Sequence, residues 1–379
     1  MTDSRVFLTG LWLIVTLELR QRVRGVSWYV LLGVFMLLVG IVTFLLWLAT
    51  SAWLSGGGGV FSTIIFFVLL LGTLVSPALS GNAVNGDREA GTLATTQVTL
   101  ISTGQLVLGK FLAAWITALA FLAAALPFLI FAVVLGEVSL ATIAVSVLVL
   151  AAELGVIAAV GVGLSGILTR PLFSIVLTYL VVAALSLGTL IAFALLGTAT
   201  QQQATSVNYY VVSSTFDEAT GRQSDIVCST AETTTFDVAR FDYYWWILAA
   251  NPYVVVADAA PGTFNDDGYP TDLFGQIAVG VRSAQAPPEL FTESNGCEEA
   301  AQSSFNDGRY TDGSFSDGGM YSGQTYGTGP TSQEIYDGAV PSWFIGLTMH
   351  LLLGAGALTW AWRRTRTPAL HLSAGSRIA

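Results

Sequence analysis

Residues Ser80–Lys110 read SGNAVNGDREAGTLATTQVTLISTGQLVLGK and form the only long polar interruption among the first five apolar runs of the chain. The stretch carries a charged triplet followed by a turn, formed by Asp87, Arg88, Glu89, Gly91, Thr92 and Leu93. The apolar runs on either side have the length and composition of membrane spans. We therefore interpret Ser80–Lys110 as the place where a soluble partner binds a transmembrane bundle.

The composition is typical of a membrane protein. Charged residues make up 11% of the chain and apolar residues 53%, whereas charged residues make up about 25% of an average soluble domain. The formal net charge of -10 is unevenly distributed. Residues 198–340 hold four arginines and nineteen acidic residues, a net charge of -15, while the remainder has a net charge of +5. An acidic module is thus inserted into a bundle with basic flanks.

Six apolar runs are long enough to cross a hydrocarbon core of about 30 Å as helices. They cover residues 26–49, 60–79, 108–135, 140–168, 172–197 and 342–362. An earlier run, Val6–Leu17, is short for a span and is followed by three arginines. We predict that residues 1–25 form an amphipathic helix in the membrane interface. A secretory signal is the alternative, but no small-residue cleavage site follows the run.

The predicted fold is therefore an α-helical polytopic membrane protein with six transmembrane helices. Eleven basic residues fall in alternate segments: Arg5, Arg20, Arg22, Arg24, Arg88, Lys110, Arg170, Arg363, Arg364, Arg366 and Arg377. The short loops on the opposite side hold none. The positive-inside rule makes the basic side cytoplasmic. We expect a multi-pass protein of the cell membrane with both termini, segment 80–109 and tail 363–379 in the cytoplasm, and with an extracytoplasmic domain at residues 198–340.

The acidic extracytoplasmic domain contains both cysteines of the chain, Cys228 and Cys297. A disulfide is expected in an oxidising compartment, and two free thiols are the alternative. The apolar stretch Tyr243–Ala260 is interrupted by an Asn-Pro pair. It is either a re-entrant or interface-dipping hairpin or a buried core segment of the outer domain, and the sequence leaves both open.

No motif predicts catalysis. Residues 104–110 match the start of a phosphate-binding loop, but Phe111 occupies the position where a Ser or Thr would hold magnesium. The match also adjoins a membrane span instead of joining a buried strand to a helix. We interpret it as accidental, and we expect no enzyme activity, no directly bound cofactor or metal, and no nucleic-acid partner.

Two ionisable residues are predicted inside the membrane. Glu153 lies near the middle of the fourth span, and His350 lies at a comparable depth in the sixth, which makes it a candidate partner of Glu153. Ionisable groups at this depth are costly and usually face a bundle interior or a watery pathway. Glu153 and His350 are therefore candidates for a substrate pathway, and a hydrogen-bonded structural carboxyl is the alternative. Gly155, Ala159 and Gly163 form a small-residue ridge that favours close helix packing.

The run Asn85–Leu93, NGDREAGTL, followed by Leu108-Gly109-Lys110, resembles the cytoplasmic segment of ABC-type-2 exporter permeases. In that family an E-R-E-x-G-T-L stretch lies between spans two and three, and Asp87 stands here in place of the first Glu. The six-span plan and the amphipathic N-terminal helix are also similar.

The resemblance implies a permease subunit that pairs with a second copy or a homologue and with separate ATPase subunits that bind ATP. It assigns Asp87, Arg88, Glu89, Gly91, Thr92 and Leu93 to the contact with the ATPase. Two alternatives stay open. In the first, the chain is a membrane-anchored receptor or assembly protein that presents its outer domain. In the second, it is an ion-coupled secondary transporter that uses Glu153.

Overall fold

The computed structural model describes residues 2–53, 58–89, 102–136, 138–217, 222–298 and 330–365. Within these residues, six helices are long and apolar enough to cross a membrane. Spans 1 to 6 are Val26–Trp53, Gly58–Ser80, Thr103–Leu135, Leu140–Ile167, Pro171–Ala199 and Trp343–Thr365. The prediction of six such helices is confirmed.

One further helix precedes the six spans, and another lies inside the predicted partner-binding stretch. An N-terminal helix covers Thr2–Arg24, and a short helix, Asn85–Glu89, follows span 2 and is called the coupling helix after its predicted role. Span 3 begins at Thr103, five residues before its predicted start at residue 108. The reason is a capping box, in which the Ser102 hydroxyl accepts the Gln105 N–H and the Gln105 side chain accepts the Ser102 N–H. The accidental phosphate-loop match thus lies in the first turns of a helix.

Two compact units make up the structure. The first comprises Met1–Ala192, Trp246–Ser283 and Thr331–Ala379, and the second comprises Phe193–Trp245 and Ala284–Pro330. The predicted outer segment 198–340 is therefore divided, because residues 246–283 and 331–340 fold with the membrane helices. The reason is chemical: the apolar side chains of 246–283 join the hydrophobic core of the first unit.

Spans 2 and 4 are the most buried of the six, whereas spans 1 and 5 expose most of their apolar side chains. The core of the first unit is formed by large side chains from several helices, including Phe61, Ile64, Leu69, Phe121, Leu150, Leu154, Val255 and Phe274. The exposed apolar side chains of spans 1 and 5 suit a lipid environment, in which burial against other helices is not required.

Short helices at Trp245–Ala249, Pro252–Ala259 and Leu273–Ser283 follow the strands of the second unit. Asn251 explains the interruption in the apolar stretch, because its side-chain oxygen Oδ1 caps the helix Pro252–Ala259 by accepting the Tyr253 N–H at 2.9 Å. Its amide donates to Ser186 O at 2.6 Å and Thr189 Oγ1 at 2.9 Å, at the π-helical turn of span 5. The stretch therefore packs with the membrane helices and does not form the core of the sheet unit.

The second unit contains a small sheet. Strand β1 (Gln201–Tyr209) pairs antiparallel with β4 (Glu232–Ala239) and parallel with β5 (Phe291–Asn295). Strands β2 (Val211–Asp217) and β3 (Arg222–Cys228) form a separate antiparallel pair. The predicted disulfide is present and joins Cys228, at the end of β3, to Cys297, just after β5, with Cα atoms 5.8 Å apart.

The disulfide is expected to contribute about 2–4 kcal/mol to the stability of the second unit, because it closes a long loop in the unfolded chain. We expect Cys228→Ser together with Cys297→Ser to accelerate amide hydrogen exchange in β1 and β4 while exchange in span 4 is unchanged. Hydrogen exchange followed by mass spectrometry measures both regions at once. Alkylation of the wild-type cysteines without a reductant would contradict the disulfide.

Candidate functional site

Residues 80–89, the first described part of the predicted coupling segment 80–109, are held by two neighbouring spans. Ser165 Oγ of span 4 accepts the backbone N–H groups of Val84 and Asn85 at 2.9 and 3.1 Å. Ser174 Oγ of span 5 donates to Gly81 O at 2.5 Å. These backbone groups have no hydrogen-bond partner within a helix. The two serine hydroxyls supply the missing partners, and so they hold the turn and the first residue of the coupling helix in place.

Arg88 lies at the carboxyl end of span 4. Its guanidinium donates to Leu168 O at 2.8 Å and to Asn85 Oδ1 at 2.8 Å, and more weakly to Gly166 O at 3.4 Å. The last carbonyls of a helix lack partners within the helix and carry a partial negative charge, which an arginine stabilises. The sequence predicts that Arg88 contacts a partner protein. In the structure, its guanidinium forms hydrogen bonds within the chain.

Lys110 connects the coupling helix to the N-terminal helix. Its ammonium contacts the Glu18 carboxylate and lies 2.8 Å from Asp87 Oδ2, although the side chain is only 2% exposed. A buried ammonium requires such partners, since an unpaired buried charge is costly. Asp87 therefore binds span 3 within the chain, while Glu89 at the end of the coupling helix is exposed.

Arg22 adds a second link from the N-terminal helix. It donates to Leu79 O at 3.2 Å and to Thr117 Oγ1 at 3.3 Å, so it contacts spans 2 and 3. Burial lowers the pKa of Arg22, and the Glu18 carboxylate acts in the opposite direction. The remaining predicted partner-binding residues, Gly91, Thr92 and Leu93, lie outside the described residues.

Glu153 and His350 form a buried pair between spans 4 and 6. His350 Nδ1 lies 2.9 Å from both carboxylate oxygens of Glu153, and His350 Nε2 lies 2.9 Å from Ala250 O. Each residue is 1% exposed. The two candidates for a substrate pathway are thus direct partners, as their similar predicted depth indicated, and both are closed off from solvent in this conformation.

The hydrogen-bond pattern determines how many protons the pair holds. A carbonyl oxygen only accepts, so His350 Nε2 carries a hydrogen and donates to Ala250 O. The contact between Nδ1 and the carboxyl group then needs one further proton, which resides on either partner. In both cases the pair is neutral overall, which suits its position in a low-dielectric bundle.

Glycines bring spans 4 and 6 close enough for this pair. A Cβ atom at Gly163 would lie 2.6 Å from Ala357 Cβ, and one at Gly166 would lie 2.6 Å from Ala361 Cβ. Real Cβ atoms do not approach that closely, so these positions accept only glycine without a shift. The predicted small-residue ridge of span 4 is a close helix contact, as its composition indicates.

Sequence reasoning missed a buried ion pair at the start of span 6. Arg282 Nε donates to Asp258 Oδ1 at 2.7 Å, and Asp258 Oδ2 accepts from Ser342 Oγ at 2.9 Å and the Trp343 N–H at 3.0 Å. A carboxylate at a helix amino terminus is favourable because the first N–H groups lack partners. The available signal was an aspartate inside the apolar run VVVADAA.

Within the described residues, no group of three or more His, Cys, Asp or Glu side chains is placed to hold a metal ion. A comparison of the chain with models of known protein families gave no match, and a comparison with curated proteins also gave none. The geometry of the coupling segment and of the Glu153–His350 pair therefore carries the functional argument.

Proposed function

We propose that the chain is the transmembrane permease subunit of an ATP-driven transporter of the ABC-type-2 class, and that it works as an exporter. In this proposal it pairs with a second copy or a homologue and binds a separate ATPase subunit through the segment that follows span 2. The observation that carries the proposal is the set of contacts made by residues 80–89 and Lys110. The coupling helix contacts spans 3 and 4, Lys110 continues to the N-terminal helix, and the turn before the coupling helix contacts span 5.

These contacts join the segment to several helices of the bundle. Ser165 and Leu168 connect the coupling helix and the turn before it to span 4, and Ser174 connects that turn to span 5. Asp87 reaches span 3 through Lys110, which also contacts Glu18 in the N-terminal helix. A partner that moves this segment therefore acts on several spans together. Such a connection is what an ATPase needs in order to bias a bundle between two arrangements.

The internal contacts of Asp87 and Arg88 divide the work within the charged triplet. These two side chains transmit motion into the bundle, whereas exposed Glu89 is available to a partner. Oppositely charged groups across an interface set specificity and association rate. We infer that the ATPase surface opposite Glu89 is basic.

Co-purification from the native membrane tests the proposal. We expect an ATPase to accompany the wild-type chain and its recovered activity to fall about tenfold or more in Glu89→Arg, because like charges across an interface cost several kcal/mol. The matched control is Arg20→Glu, which reverses an exposed charge on the N-terminal helix and is expected to retain the ATPase.

Two results would contradict parts of this proposal. If no ATPase accompanies the wild-type chain, the permease assignment fails. If Arg20→Glu loses the ATPase to the same extent as Glu89→Arg, the contact is not located at the coupling helix.

The Glu153–His350 pair supports a second candidate function, an ion-coupled secondary transporter. A carboxyl group that shares a proton with an imidazole inside a membrane bundle is a typical element of a proton relay. This function requires Glu153 to change its protonation during transport. The permease function requires only that the pair stabilise one arrangement of spans 4 and 6, and the Glu153→Gln variant distinguishes the two.

A further inference from the structure

Two clefts flank the last turns of span 6, where its basic residues begin. The first has a volume of about 210 Å³ and is lined by Gly104, Val107, Leu108, Leu358, Thr359 and Trp362. The second has a volume of about 430 Å³ and is lined by Gly356, Thr359, Trp360, Arg363 and Arg364. Thr359 borders both clefts, so the apolar cleft and the basic cleft are neighbours on span 6.

The two clefts differ in polarity and charge. The first is apolar and lies between the start of span 3 and the end of span 6, with Leu108 and Leu358 in its wall. The second presents two exposed guanidinium groups, Arg363 and Arg364, and no carboxylate among the described residues lines either cleft. Within the described part of the chain, neither arginine forms an ion pair.

We propose that the paired clefts bind one anionic phospholipid, with its phosphate at Arg363 and Arg364 and the upper part of an acyl chain in the apolar cleft beside Leu108 and Leu358. Arginine recognises phosphate through a planar set of donors. Trp360, which is 60% exposed, lines the basic cleft, and tryptophan prefers the headgroup level of a bilayer. Basic residues at the end of a membrane helix attract anionic lipid headgroups.

This site is independent of the proposed transport function, because it rests on the ends of spans 3 and 6 and not on the coupling helix. Span 6 also carries His350, so a lipid at its basic end contacts the same helix that pairs with span 4. In the predicted topology the lipid belongs to the cytoplasmic leaflet.

Native mass spectrometry of the purified full-length chain tests the site. After removal of bound lipid, the protein is titrated with phosphatidylglycerol and, separately, with phosphatidylcholine. We expect Arg363→Gln with Arg364→Gln to weaken phosphatidylglycerol binding about 30-fold, the effect of removing two basic residues near a membrane surface. The matched control, Arg20→Gln with Arg24→Gln, removes two exposed arginines from the N-terminal helix and is expected to bind normally.

A separate variant tests the apolar cleft. A Cβ atom at Gly104 would have Trp362 Nε1 as its nearest neighbour, at an ordinary distance of 3.8 Å, and Gly104 lines the cleft, so Gly104→Leu adds apolar volume there without a clash at Cβ. We expect Gly104→Leu to weaken phosphatidylglycerol binding about tenfold by excluding part of the acyl chain. Arg363→Lys with Arg364→Lys retains the charge and is expected to retain most of the binding.

Several outcomes would overturn the proposal. Unchanged binding in the double glutamine variant removes the arginines from the site, and an equal loss in the control pair shows diffuse attraction only. Equal affinity for phosphatidylcholine removes the role of charge. Displacement of the lipid by inorganic phosphate, with no effect of Gly104→Leu, identifies a simple anion site instead of a lipid site.

Discussion

Replacing Gly346 by alanine is expected to lower the free energy of unfolding by about 3 kcal/mol, the upper part of the range for overpacking a close contact. A Cβ atom at Gly346 would lie 1.9 Å from Ala249 O and 2.5 Å from Val255 Cγ2. The backbone oxygen belongs to a short helix and has no rotamer by which to move away. Span 6 must therefore shift, and His350, one turn further along, loses its contact with Ala250 O.

The matched control lies on the same span. A Cβ atom at Gly356 would have no neighbour within 4 Å, so Gly356→Ala adds helix propensity without a clash and is expected to leave stability unchanged or slightly raised. Titration with a denaturing detergent in mixed micelles measures both variants. Equal stability of Gly346→Ala and wild type would show that span 6 does not pack on Ala249.

Replacing Glu153 by leucine is expected to destabilise the protein by about 2 kcal/mol, because it leaves Nδ1 of a neutral His350 buried without a hydrogen-bond partner. The double variant Glu153→Leu with His350→Leu is expected to cost less than the sum of the single variants, since both members of the pair are then removed. A double-mutant cycle from unfolding measurements gives this difference. Additive effects would show that the two side chains do not interact.

Glu153→Gln separates a structural role from proton transfer. The amide N–H of a glutamine donates to Nδ1 of a neutral histidine, so we expect a loss of stability of about 1 kcal/mol or less, in the range of a neutral side-chain hydrogen bond within a membrane. Under the permease function this variant retains ATP-driven transport. Complete loss of transport in a stably folded Glu153→Gln protein would instead support the ion-coupled function.

Much of the candidate site was predictable from local sequence features. An ionisable residue in the middle of an apolar run identifies Glu153 and His350 as special, because the cost of burial applies wherever the helix is placed. Their similar depth made them candidate partners, but the contact itself was not predictable, since 197 residues separate them. Successive side chains of an α-helix are rotated by about 100° around its axis. Which faces of spans 4 and 6 meet therefore depends on packing across the whole bundle.

The coupling segment shows the same division. Its charged triplet is visible in the sequence, but Arg88 and Asp87 alike look available to a partner there. The structure places Arg88 on Leu168 O, 80 residues away, and Asp87 on Lys110. A charge pattern gives the sign and density of the charge on a surface. Whether a charged side chain binds its own chain or a partner protein depends on which helix end lies within hydrogen-bonding distance.

The sequence by itself determined six apolar helices, an N-terminal helix and a cysteine pair, because run length, residue chemistry and composition are local properties. Tertiary structure alone decided that residues 246–283 fold with the membrane helices, that Lys110 links Glu18 to Asp87, and that glycines bring His350 to Glu153. These contacts join distant parts of the chain. Their free energy depends on distances and orientations that arise only when the helices have packed.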